Sequence, residues 1–358
     1  MNKFCIFCGR EPEAKNKEHV IPLWLIRATG NPNRTARFGV DLTQTPPRLR
    51  EFAFNALTFP ACHKCNEIFG CLEVAAKPIL ERVLAKAAIS AQQFSVLLDW
   101  FDKIRVGLWL GYLYLDKNPN GITPSFHIQT RVRQTDRTAI VIHIVDRQQG
   151  INFLGPESPC FQSSPTCFAL LINEWCFVNI SGMAINSRRL GFPYAQPVHF
   201  RDDGKIMVSI EPGTQRIMRP VQRDVLFSKA TILQQPIFPR SLLSPKVQAR
   251  FREDWVRCRS IDPENGVGSV FIETPDQVSI YPSHDSRDWI PKATWSLAEV
   301  YERIPPFVHA RLARDLENAA DLCTKQGRRE LLRSLALFRQ VNEAITAARR
   351  RSFPRGSM

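Results

Sequence analysis

The sequence predicts an α+β fold: an N-terminal unit bounded by cysteine pairs, a β-rich middle and a helical, basic end. Three observations predict it. Two C-x-x-C pairs, Cys5/Cys8 and Cys62/Cys65, bracket the first part of the chain. After the second pair, and again near the end, apolar residues recur three and four apart, the spacing of one helix face. Between these stretches, short β-branched or alternating blocks are separated by proline and turn residues. The expected segments are 1–72 for the cysteine-bounded unit, 73–117 for helical packing, 118–295 for a β-rich domain and 296–358 for the basic helical end.

In the helical segment, Leu72, Ala75, Ala76, Ile79, Leu80, Val83, Leu84 and Ala87 form one apolar face. Phe94, Leu97, Leu98, Phe101, Ile104, Leu108 and Leu110 form a second. Lys117 to Gly121 reads as a turn. Ser125–Arg133 and Thr138–Asp146 read as strands, with Gln134–Arg137 as the hairpin between them. Cys167–Ser181 is an apolar run broken at Asn173-Glu174, and Lys205–Glu211 is a strand after an Asp202–Gly204 turn. Prolines 156, 159, 165, 193, 197 and 212 mark loops. Leu331, Leu335, Phe338, Val341, Ile345 and Ala348 line one face of a final helix. The order of the strands is not legible.

The chain has 358 residues, room for two or three domains at about 150 residues each. An apolar content of 44% excludes wholesale disorder. No run of about 18 apolar residues is present, so no membrane span is expected. The opening MNKFCIFCGR lacks a basic stretch followed by an apolar one, so no secretory signal is expected and the compartment is expected to be cytoplasmic. Lysine and arginine number 48 against 34 acidic residues, a net charge of +14 carried mostly by arginine. The planar guanidinium suits phosphate, which makes nucleic acid the natural partner over a merely solvated basic surface. The tip Arg349, Arg350, Arg351 and the lysines Lys17 and Lys64 are candidate phosphate contacts, with solvated side chains as the plain alternative.

In a reducing compartment ten cysteines do not imply a disulfide framework. Cys5, Cys8, Cys62 and Cys65 form two knuckles and offer four soft thiolates at the geometry zinc accepts. Such a site is closed and structural. Cys71, Cys160, Cys167, Cys176, Cys258 and Cys323 have no ligand-like spacing and are expected to be small buried residues. Chemistry would come from Glu18-His19 and Asn66. Histidine takes a proton near neutral pH, and carboxylate and amide oxygens suit a hard divalent cation. Glu18 and His19 can serve different partners only if the strand ends there, which Pro22 permits. As plainer readings, Asn66 could only cap the helix that follows, and Trp24 and Leu25 are core. Phosphate-loop, dinucleotide and nucleophile-elbow motifs are absent, and Gly266-Val-Gly268 is too short to count.

The set Cys5-x-x-Cys8, Glu18-His19-x-x-Pro22, an Asn, and Cys62-x-x-Cys65-Asn66 resembles the HNH endonucleases, the ββα-metal nucleases, in their zinc-stapled form. The resemblance covers residues 1–72. It implies a ββα-metal fold, His19 as general base, and Glu18 and Asn66 as ligands of a catalytic Mg2+ or Mn2+. It implies a structural Zn2+ on the four cysteines. The middle Asn would be Asn55, orienting the base, with Asn31 and Asn33 as rivals. Glu18 departs from the commoner Asp, and Asn55 stands farther from the second knuckle than is usual. The expected function is metal-dependent hydrolysis of phosphodiester bonds, with duplex DNA as the expected substrate. The larger remainder would set substrate, trigger or protein partner, as in defence, restriction or mobile-element enzymes. The alternative is an inactive zinc-stapled nucleic-acid-binding or adaptor protein.

Overall fold

The structure is a computed structural model. It describes residues 3–13, 16–41, 44, 48–115, 121–132, 135–147, 149–182, 187–192, 194–200, 206–211, 216–221, 231–235, 270–274, 276–281, 288–289, 294–321 and 323–352. In chain order the elements begin with β1 (Lys17–His19), α1 (Leu23–Ala28), β2 (Thr35–Asp41), β3 (Arg48–Ala53), a 3-10 turn (Phe54–Ala56) and β4 (Thr58–Pro60). Then come α2 (His63–Leu84), β5 (Ile89–Ser90), α3 (Ala91–Leu115) and α4 (Ile128–Arg131). The middle holds β6 (Asp136–Ile144), β7 (Ile151–Leu154), α5 (Pro159–Ser163), β8 (Cys167–Ile172), β9 (Trp175–Gly182), β10 (Tyr194–Phe200), β11 (Ile206–Glu211) and β12 (Thr231–Gln235). The last elements are β13 (Val270–Glu273), β14 (Val278–Tyr281), β15 (Asp288–Trp289), β16 (Thr294–Trp295), α6 (Leu297–Ala320) and α7 (Lys325–Ser352).

The fold is mixed α and β, with a β-rich middle and a helical end. An eight-stranded sheet runs β14-β13-β12-β6-β9-β8-β7, with β16 joining β6 in parallel. Its centre is a near-continuous apolar surface: every residue of β8 and β9 is buried. The break between them falls at Asn173, which adopts φ +49°, the left-handed conformation asparagine tolerates. In the N-terminal unit, β1 pairs antiparallel with β4, and α2 follows directly. The β2–β3 hairpin is inserted between them. The boundary expected near residue 72 falls inside α2, which continues to Leu84. One apolar cluster runs from Cys5 through α3 and the sheet to Leu335.

Helix α3 joins the two regions. From Leu97 to Leu113 every residue is buried, so it is enclosed on all sides rather than amphipathic. That forces Asp99, Asp102, Lys103 and Arg105 into the interior, where each needs a partner. No helix among the described residues is long and apolar enough to cross a membrane.

Several expectations are corrected. Ser125–Arg133 is not a strand; residues 128–131 form α4. The Ile128 and Gln129 amides donate to the carbonyls of Ile6 and Phe7 at 3.2 and 2.9 Å, so the first cysteine knuckle receives this helix start. Asp136 and Arg137 belong to β6, which pairs with β9, β12 and β16; Arg133 and Gln134 lie outside the described residues. Pro197 lies within edge strand β10, beside a register shift, rather than in a loop. Cys71 and Cys323 are exposed, whereas Cys160, Cys167 and Cys176 are buried as expected. Cys258, the 117–120 turn, the 202–204 turn and prolines 193 and 212 lie outside the described residues.

Candidate functional site

The four knuckle cysteines converge. Their sulfurs lie within 4.8 Å of one another, and Cys8 Sγ is 3.9 Å from Cys62 Sγ. Sulfurs held tetrahedrally about 2.3 Å from a zinc ion stand about 3.8 Å apart, so the spacing fits zinc; a disulfide needs about 2.05 Å. The Cys62 amide donates to Cys5 Sγ at 3.2 Å, as expected of a metal-binding knuckle. As thiols, Cys62 and Cys65 are pushed up to about 11 and about 12, chiefly by burial. Burial also opposes ionisation of Cys8, but hydrogen bonds from the Arg10 main chain and guanidinium outweigh it and bring the thiol to about 7. Arg10 was not singled out from the sequence; its place directly after Cys-Gly is the only signal for it. Gly9 turns at φ +78°, and a Cβ there would lie 2.4 Å from the His127 ring. His127, at the start of α4, thus closes over the first knuckle.

Glu18 and His19 sit on β1 opposite Phe59 and Thr58. The strand ends at His19, and alternation sends Glu18 inward while Lys17 and His19 share the outer face. Glu18 is buried, His19 half-buried and Lys17 exposed. The Asn55 main chain favours the protonated form of the His19 ring. Asn55 is pinned in turn: its amide donates to Pro32 O at 3.2 Å, and its side chain donates to Asn33 Oδ1 at 2.7 Å. Burial holds His19 below the ordinary histidine range, against the opposing pull of Glu73 and Asn55. Burial thus favours the neutral ring, the form a general base needs.

Two residues absent from the sequence reading complete the cluster. Lys103 of α3 is 1% exposed at its side chain, and its ammonium donates to Glu18 Oε1 at 2.5 Å and to Glu73 Oε1. Glu73 lies on α2. Burial above all, and then the adjacent Glu18 carboxylate, push it up, while Lys103 pulls it down. Lys103 reaches Glu18 because α3 approaches β1 and β4 very closely. A Cβ on Gly107 would lie 2.9 Å from Val20 Cγ1, and one on Gly111 would lie 2.2 Å from the Phe59 ring. Lys103, Gly107 and Gly111 are four apart and so share that face.

Asn66 lies in the first turn of α2, half-buried, with its amide bonded to Cys62 O at 3.0 Å. It is seven residues, two turns, before Glu73 and shares its side of the helix. The donors of Glu18 and Asn66 are oxygens, the kind a hard cation takes, but Lys103 already holds one Glu18 oxygen, and among the described residues the group that could hold an ion is the four cysteines. Lys64 is exposed. Arg349, Arg350 and Arg351 end helix α7, but their side chains lie outside the described residues. Comparison with protein-family models, curated proteins and solved structures yields no match.

Proposed function

We propose that this protein is a zinc-stapled, metal-dependent endonuclease of the HNH type that hydrolyses phosphodiester bonds in duplex DNA. The observation that carries the reading is the placement of His19. A half-buried histidine, pushed toward its neutral form by burial, ends β1 directly after Glu18, with β4 and α2 following from the same cysteine-bounded unit. In its neutral form one ring nitrogen carries no proton and can take one from water. Glu18 and Asn66 would hold Mg2+ or Mn2+, which when bound stabilises charge on the scissile phosphate. The four cysteines would hold zinc and fix the angle between β4 and α2. The net charge of +14 favours a polyanionic partner.

One observation favours a second reading. Lys103 occupies a Glu18 oxygen that a metal ligand would offer, which suits a catalytically silent DNA-binding protein. Plasmid cleavage with Mg2+ or Mn2+ separates the two. The nuclease loses about two to four orders of magnitude in rate on His19→Ala, with zinc content and DNA affinity retained. Wild-type protein that binds DNA and cleaves under neither ion supports the silent reading.

A further inference from the structure

Resting on the nuclease reading, we propose that Lys103 is a resident competitor for the divalent cation at Glu18, so that its ammonium must leave the carboxylate before the ion is held. Lys103 is not a stray surface lysine. Its side chain is 1% exposed, and its ammonium bonds both Glu18 and Glu73. A divalent ion on Glu18 would stand within a few ångströms of that ammonium, away from the water that would screen the two. Charge counting points the same way. Two carboxylates and one ammonium sum to −1. Exchanging the ammonium for a divalent ion brings the pair to zero, whereas keeping both cations leaves +1.

The backbone carrying Lys103 is fixed on both sides. Gly107 and Gly111 close on Val20 and Phe59, and Asp99, Asp102 and Arg105 are locked into the sheet. The exchange therefore falls to the lysine's flexible four-carbon stem. The ammonium already lies 5.8 Å from the centre of the Phe7 ring, so a short swing keeps it over a face that attracts cations.

The test is Mn2+ binding to the zinc-loaded full chain, followed by calorimetry and by the spin-resonance signal of free Mn2+, without nucleic acid. Lys103→Met should tighten Mn2+ binding at least tenfold over wild type, with zinc stoichiometry unchanged. Because that variant leaves two carboxylates facing each other and can lose its fold, the comparison is repeated in a Glu73→Gln background. Lys103→Met/Glu73→Gln should bind at least tenfold tighter than Glu73→Gln alone. Equal or weaker binding on removing Lys103 in the folded background overturns the proposal and makes the lysine a positioning residue for Glu18. Binding that appears only once Lys103 is removed supports it. Absence of Mn2+ binding in wild type and every variant rejects the nuclease reading itself, and this proposal with it.

Discussion

Helix α3 presents charge to two regions, and the two treat it differently. Toward the sheet, Arg105 and Arg137 meet Asp99 and Asp102, two cations against two anions, all but sealed from water. Asn179 accepts from Arg105 at 2.7 Å, and Gln235 accepts from Arg137. Toward the cysteine-bounded unit, Lys103 meets Glu18 and Glu73, one cation against two anions, and Glu73 is partly exposed. The first network is balanced in charge. The second keeps a negative charge beside His19. The regions also differ in build: the sheet rests on long buried strands, whereas β1 and β4 have three residues each and lie beside the four-cysteine cluster.

The most drastic way to break the comparison is to remove the staple. Cys62→Ser should abolish zinc binding and unfold the β1–β4 region while the sheet stays protected, because ion binding is folding free energy for such a unit. Hydrogen exchange across both regions checks this; equal loss of protection would mean that the staple supports the whole chain. Next, Asp102→Leu should destabilise the protein by about 3–5 kcal/mol, since it takes the carboxylate from buried Arg105 and leaves two guanidinium groups against Asp99 alone. By contrast, Glu73→Gln should cost under about 1 kcal/mol, as expected for one member of a partly exposed pair. Denaturant unfolding of both variants sharpens the contrast, and equal costs would erase it.

Gly111→Ala tests the close approach that lets Lys103 reach Glu18. Its new Cβ meets the Phe59 ring, and overpacking of this kind costs about 1–3 kcal/mol, read as a lower melting temperature. The smallest effect belongs to His127. Burial lowers its pKa in the folded protein, so folding favours the neutral ring. That contribution is whole above about pH 6.5 and is lost as pH falls through the lowered folded value. Melting temperatures from pH 7.5 to 5 should fall less in His127→Phe than in wild type; parallel curves would exclude a role for this ring.

Much of the candidate site was legible because its signals are local. A C-x-x-C pair makes a knuckle wherever it lies, and Glu18-His19 before Pro22 marks a strand end. Asn55 was legible as a polar residue ahead of the second knuckle, though not that its main chain would act on His19. Strand patterns at 138–146, 167–181 and 205–211 survive in β6, β8, β9 and β11, and the apolar face at 331–348 survives in α7. The misread strand at 125–133 had suitable residues, but its amides were claimed by the knuckle carbonyls of Ile6 and Phe7.

By itself, then, the sequence determined which residues could bind soft or hard ions and where the long helices run, and its net charge of +14 raised the expectation of an anionic partner. Tertiary structure alone decided that Lys103 and Glu73 join Glu18. The lysine stands 85 residues from Glu18 along the chain and 30 from Glu73, on a helix whose apolar spacing hid its charges. No local pattern encodes such a meeting. It exists because α3 is buried on every side, and a buried ammonium must find carboxylates wherever the packing brings them.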